Sequence, residues 1–502
     1  MLQRLSLVRI SWWRKQQQHQ QLLQQRRQLA AEAPGVLEEG QPPQAAATTP
    51  LPAPAEAGAA PQLRRQLATL QDDWGAWSAV VAEQGSAFSA SDLVDCVVRL
   101  RIEAARSSQL LRPASPHQAG QQRGGQQQQQ GGHQQEGQVQ GDQQQQLLRQ
   151  LWQQVVQLAL APGMAEQLRP WQWSQLLYAA VKLARTRADP ALLAAAAQRM
   201  PPAMHAMHGA ALANSVWAYA AAAADPGEAW LAAWTAAAAA HLPSLNAHQL
   251  ASCLWAVGAL GYRAPPAFLQ RLLTCASVAM GRLGPSELTN ALWALSRLRY
   301  LPSRRWLLRW SWFASAAMAR DALAPHHLAG QLASLALLRK QPHPRWRKAW
   351  RGSVRRQLGR FTGRQVCLCL CAAGKLRWAL GEHWVLLLAG RLGEVLPQCS
   401  TSDLAAALWA LPRVAYPSPR RAGVALAPLL QRAVGQLEPQ LGRCSPAQLT
   451  QLAVGLAALG HDPGVHWLKL HENACSAQVA GFSPENRERL RNSYLRIWGV
   501  HR

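Results

Sequence analysis

Acid is scarce in this chain. Asp and Glu number 26 against 52 Lys and Arg, which leaves a formal charge of +26 at pH 7. Such an excess repels itself and calls for a polyanionic partner. The shortage is sharpest between Asp321 and Glu382, where no acid occurs and Arg and Lys cluster. Phenylalanine is also rare, at 5 in 502 residues, and runs of Val, Ile and Thr are few, which disfavours sheet. No uninterrupted apolar run reaches the roughly 18 residues that a membrane span needs; the Ala-rich stretch 217–240 is cut by Asp225 and Glu228. The 9 Cys are odd in number and follow no framework, so a secreted disulfide scaffold is not expected and a reducing compartment fits better.

Catalytic signatures are missing too. There is no HExxH, P-loop or G-x-S-x-G, and no pair of carboxylates recurs at a suggestive spacing. Cys367, Cys369 and Cys371 could be taken for metal ligands. On a helix, however, residues two apart point about 200° from each other, so they are read as buried small side chains. The chain is therefore expected to be no enzyme and to carry no metal or cofactor.

What is present is a repeat. GPSELTNALWALSRLRYLPSRRWLLR (284–309) aligns without a gap on NAHQLASCLWAVGALGYRAPPAFLQR (246–271). Anchored on the residue that opens each unit, the series is Leu93, Trp173, Leu212, Leu250, Leu288, Leu328, Val366, Leu404 and Leu449. The period is about 38 residues, which marks a repeat architecture. A second series, Trp230, Phe268, Trp306, Trp346, Trp384 and Trp467, trails the first, with Gly or Pro between them. Two apolar anchors per unit with a breaker between read as helix, turn, helix. Ala and Leu dominate an apolar content of 49%, and both favour helix. The fold class is all-α: an α-solenoid of about eight to nine helix-turn-helix repeats. Ser89, Asn246, Gly284, Thr362, Ser400 and Ser445 stand as N-caps of the first helices.

The chain divides as follows. Residues 1–31 are basic and acid-free, the composition of an organelle transit peptide. Residues 32–61 are a Pro/Ala-rich linker. A degenerate first repeat covers 62–112, a Gln/Gly-rich tract expected to be disordered covers 113–146, and the array runs over 147–482. Residues 483–502 form a polar capping helix, which a repeat stack needs at its end.

Three columns of the first helix fall on one face. The second residue after the anchor is variable and polar in five units: Gln175, Asn214, Ser252, Asn290 and Gln451. These are the candidates for reading bases. The sixth residue is always small, from Ala179 to Gly455, and is expected to let a nucleotide approach. The ninth is intermittently basic, with Lys182, Arg297, Lys375 and Arg413. Those four, with Arg345, Arg347, Lys348, Arg351, Arg355 and Arg356 from the acid-free interval, are the candidates for holding phosphate. The aromatic at the fifth place (Tyr178, Trp217, Trp255, Trp293, Trp409) is read chiefly as packing between repeats, with base stacking as the other possibility.

The motif of Leu288, Leu292, Trp293, Ala294, Leu295, Leu298 and Tyr300, then Pro302 and Trp306-Leu307, resembles the octotricopeptide repeat family. It is also similar to the leucine-rich region of FAST-kinase-like proteins. The likeness runs over about 170–482. It departs in the units from 324 to 399, which lack the first-helix Trp, and in 400–444, which lacks the second-helix one. No C-terminal RAP domain is recognisable. The resemblance implies a protein that binds single-stranded organellar RNA selectively and acts in mRNA stability, RNA processing or translation. It places the chain in the chloroplast stroma, with the mitochondrial matrix as alternative. A protein-binding scaffold of an organellar ribonucleoprotein is the other function considered, and an RNA-cleaving enzyme a remote third.

Overall fold

The computed structural model describes residues 73–110, 130–184, 188–415 and 417–498. The expected transit peptide and linker lie outside them. Among the described residues the structure is helical without strands, in an all-α solenoid. First helices stack on first helices: Ala90–Leu110, Pro170–Ala184, Gly209–Ala221, Ala247–Leu260, Pro285–Arg297, Pro325–Leu337, Gly363–Lys375, Thr401–Val414, Pro446–Leu459 and Pro484–Trp498, each against the next. The intervening helices, among them Glu228–His241, Pro266–Ala279, Arg304–Ala319 and Pro344–Gln357, form a second layer.

The anchors are why the layers hold. All nine, from Leu93 to Leu449, are buried, each side chain contributing about 1.5–3 kcal/mol of transfer free energy. The second-helix rings Trp230, Phe268, Trp306, Trp346 and Trp467 are buried as well, while Trp384 is half-buried. A further ring column sits one helical turn on. Trp234, Trp310 and Trp350 donate their indole N–H to the carbonyls of the anchors Leu212, Leu288 and Leu328, at 2.9, 2.9 and 3.2 Å. In the last full unit His471 takes this place and bonds the Leu449 carbonyl at 3.0 Å.

Helix starts are capped reciprocally. The Asn246 side chain accepts from Gln249 N–H at 2.9 Å, and Gln249 accepts from Asn246 N–H at 3.0 Å. The residue just before the anchor repeats this return bond: Asp92, Gln172, Glu287, His327, Gln365 and Gln448 each accept from the cap residue's N–H. This is the capping box, and it lets Gly284, which has no side chain to offer, still open a helix.

Two stretches depart from expectation. The helix Gln130–Leu160 begins inside the Gln/Gly-rich tract. Gln is a good helix former, and a helix nucleated by the apolar residues after 146 propagates back through it. In the long unit after Leu404 the second helix is split into Pro419–Ala425 and Ala427–Leu437, with Pro428 at the start of the second piece, where a missing N–H costs least. Cys367 and Cys369 are buried, as read from the sequence, whereas Cys371 is only half-buried; burial pushes the Cys369 thiol up to about 12.

Candidate nucleic-acid interface

The small column is not an open floor. Ala179, Ala218, Ala256, Ala294, Ser334, Ala372, Ala410 and Gly455 are all buried. They are the points where neighbouring first helices touch. A Cβ added to Gly258 would lie 2.6 Å from the Ala294 Cα, one on Gly374 2.9 Å from the Ala410 Cβ, and one on Gly455 2.5 Å from the Leu408 carbonyl oxygen. The expectation that these residues admit a nucleotide is therefore corrected: they are small because two helices meet there.

The exposed stripe of each first helix is instead made of the second, fifth and ninth places, which lie within about 60° of one another at 100° per residue. At the fifth place Tyr178, Trp217, Trp255, Trp293 and Trp409 are all half-buried. Rings of adjacent units meet: Tyr178 and Trp217 at 5.1 Å between centroids, Trp255 and Trp293 at 6.5 Å and nearly parallel. Packing between repeats is thus one of their roles, and each keeps an open edge or face.

Cations of the ninth place lie on those rings. Lys182 stands 4.8 Å from the Trp217 centroid, Arg297 6.0 Å from Trp293, and Arg413 3.8 Å from Trp409. Arg413 also donates to the Trp409 carbonyl at 2.6 Å. At the second place Asn290 is exposed, and Gln175, Asn214, Ser252 and Gln451 are half-buried. Among the described residues, none of these five side chains has a hydrogen-bond partner within the chain. Unused amides and a hydroxyl thus flank a row of rings and cations.

The six remaining phosphate candidates lie elsewhere. Arg345, Arg347, Lys348, Arg351, Arg355 and Arg356 all belong to Pro344–Gln357, in the second layer. Several are engaged within the chain. The Arg345 guanidinium sits 3.4 Å from the Trp312 centroid. Arg347 donates to the Pro342 carbonyl at 2.9 Å, Arg351 to the Leu380 carbonyl at 3.1 Å, and Arg356 to both Asp321 and the Met318 carbonyl. The Arg356 bond holds the Asp321 carboxyl below its usual pKa. These arginines tie consecutive units together, so the ten candidates do not form one track.

Two cavities open beside the exposed stripe. The larger, about 920 Å³, is bordered by the ends of four first helices and by Arg489; Arg299, Arg339, Lys375, Arg377 and Arg413 line it, and no acid does. The smaller, about 330 Å³, shares Trp409, Arg413 and Arg489 with it and adds Gln451 and Asn486. Burial, then Arg489 and Arg377, lower the Arg413 pKa. Among the described residues no group of three or more His, Cys, Asp or Glu is placed to hold a metal ion, and no helix is long and apolar enough to cross a membrane.

Residues 313–416 match the family model of the Tbc2 translation factor, N-terminal domain. No curated protein matches the chain. The matched segment includes the acid-free interval and, from Ala336 to Arg413, most of the wall of the larger cavity.

Arg299, Arg339 and Arg377 are site residues that the sequence pattern does not single out. A signal exists all the same. Gly261 and Gly460 occupy the same place in other units, eleven residues after the anchor, and a glycine just past a helix marks a left-handed cap.

Proposed function

We propose that the chain binds single-stranded RNA along the exposed stripe of its first helices and acts, without catalysing a reaction, in the translation, processing or stability of an organellar transcript. The observation that carries this reading is a stripe of half-open rings with cations from three units on them and unpartnered polar side chains beside them, complete as a trio of ring, cation and amide in the units of Trp173 and Leu288. Unstacked bases have π-faces for the rings, phosphates for Lys182, Arg297, Lys375 and Arg413, and polar edges for Gln175, Asn214, Ser252, Asn290 and Gln451. Duplex offers less to such a surface, because its bases are already stacked and paired. Likeness to a translation-factor family supports the translational branch. The repeat motif supports membership of the octotricopeptide family. The acid-free composition of residues 1–31 supports import into an organelle, the chloroplast first and the mitochondrion second.

The test is crosslinking of the tagged full chain in its cells, followed by sequencing of the bound RNA. A sharp peak in one organellar transcript is the expected result. Recovery of proteins with no RNA above background would replace this reading with that of a protein scaffold.

A further inference from the structure

The larger cavity has an unusual wall. Among the described residues five non-glycine residues have positive φ, and three of them are Arg299, Arg339 and Arg377, at 52°, 53° and 50°. They hold one and the same place in three consecutive units. That place is the left-handed residue that ends the first helix: Tyr300 N–H bonds the Leu295 carbonyl at 3.0 Å, Lys340 that of Leu335 at 3.0 Å, and Trp378 that of Ala373 at 2.9 Å. Two other units put glycine there, Gly261 at 64° and Gly460 at 68°, and a third puts alanine, Ala223 at 52°, with Ala224 N–H on the Tyr219 carbonyl at 3.0 Å. Glycine adopts this conformation without strain, whereas a side chain is strained in it. The fold therefore has a better residue available and uses it elsewhere.

All three arginines line the 920 Å³ cavity, a volume within the roughly 300–1,000 Å³ of ordinary ligand sites. None of the three guanidinium groups has a hydrogen-bond or ion-pair partner among the described residues. Lys375, Arg413 and Arg489 join them. Of these, Arg489 is paired with Glu485 at 2.5 Å, and Arg413 is stacked on Trp409. Cations near helix C-termini do compensate the helix dipole, and that would account for Lys375 and Arg413. It does not account for three arginines on strained backbone, crowded together without an acid. Ala223 shows that the fold tolerates the strain by itself; what sets these three units apart is an unpaired cation at that place, three of them in register on one cavity that no acid lines.

We propose that this cavity holds a run of adjacent phosphates, those of the bound RNA backbone, with Arg299, Arg339 and Arg377 as their principal ligands. The proposal rests on the RNA-binding reading above and names the stretch of chain that anchors the strand. Guanidinium groups suit the task because each can bond two phosphate oxygens at once. Occupation would also relieve the repulsion among Arg377, Arg413 and Arg489.

The test is the triple variant Arg299→Gly, Arg339→Gly, Arg377→Gly in the full chain. Because glycine fits the left-handed position, its thermal midpoint should equal or exceed that of the unchanged protein. Its affinity for single-stranded RNA should fall at least about tenfold. The slope of log affinity against log salt should flatten by about 2, at roughly 0.7 for each phosphate of a single strand that is no longer neutralised. Unchanged affinity and slope would overturn the cavity while leaving RNA binding intact. A marked drop in the midpoint would overturn it too, by returning the arginines to folding. If the unchanged protein bound no RNA, the function proposed above would fall, and sodium tripolyphosphate then decides on the cavity. A rise in midpoint that the triple variant loses would uphold a phosphate site; no rise would sink it.

Discussion

The indole N–H of Trp310 donates to the carbonyl of Leu288 at 2.9 Å, joining the second helix of a unit to the residue that opens its first. The Leu288 carbonyl lies inside a helix and has a second lone pair to spare for the indole. The same bond recurs from Trp234 to Leu212 and from Trp350 to Leu328. It fixes the rotation of one helix against the other, which apolar packing alone leaves loose. Trp310→Phe keeps most of the buried ring and deletes the donor. The expected loss is about 1–2 kcal/mol, for the hydrogen bond and a small void. Trp310→Ala should cost about 3–5 kcal/mol. Repeat arrays need not unfold in one step, so the check is amide exchange: protection should fall first in Pro285–Arg297 and Arg304–Ala319.

Ala294 is the residue on which the backbone of the preceding unit rests, beneath Gly258. Ala294→Leu pushes a side chain into that junction and should destabilise by about 1–3 kcal/mol or more, since a packed backbone cannot step aside. Asn290→Ala, one turn earlier and exposed, should leave stability within about 0.5 kcal/mol. Thermal unfolding of the two variants distinguishes a packing column from a surface column on one helix.

The solenoid is legible in the sequence because its determinants are periodic and local. One anchor, one breaker and one second-helix ring per unit, repeated in register from Leu212 to Val366, admit few other solutions. The exposed stripe is half legible. Spacing alone places Asn290, Trp293, Ala294 and Arg297 near one another. It does not say that Ala294 faces a neighbouring helix while Trp293 keeps an open face, because that depends on how closely two units approach. The arginines of Pro344–Gln357 mislead for a related reason. Charge density is visible in a sequence, but the bonds of Arg347, Arg351 and Arg356 to carbonyls and to Asp321 are made across units and turns. The left-handed arginines are hidden because an arginine, unlike the glycines at Gly261 and Gly460, does not announce its backbone.

His471 stands where other units carry a tryptophan, buried between the Leu449 carbonyl at 3.0 Å and the Tyr494 hydroxyl at 2.6 Å. With Nε2–H donating to Leu449, Nδ1 is left to accept from Tyr494, so the neutral ring is the one that fits. Burial lowers its pKa to about 4, against an ordinary 6.5, the Leu449 bond opposing only in part. Between these values the unfolded chain takes up a proton that the folded one refuses. The stabilising contribution is complete above pH 6.5 and is lost as pH falls toward 4, with a magnitude on the order of 3 kcal/mol. His327, also lowered to about 4 by burial and then by His326, adds to the same trend. His471→Phe should therefore be less stable at pH 7.5 and lose less between pH 7 and pH 4.5 than the unchanged protein. Parallel pH curves for the two would show that His471 does not carry the effect.

Rings and cations on the exposed stripe should fail in different ways when removed. Trp293→Leu keeps the half that packs against Trp255 apolar and deletes the π-face. A stacked base contributes about 1–3 kcal/mol by such truncation, so RNA affinity should drop about tenfold or more with the salt slope unchanged. Arg297→Ala removes a charge 6.0 Å from that same ring; its affinity loss should come with a slope reduced by about 0.7. Asn290→Ala should weaken binding only to sequences bearing one particular base at one place, because a polar edge reads identity whereas a ring does not. Anisotropy titrations of a randomised oligonucleotide set at three salt concentrations measure all three at once. If Trp293→Leu and Arg297→Ala moved the slope equally, the two side chains would be acting as one unit, and the division of the stripe into stacking and phosphate columns would have to be given up.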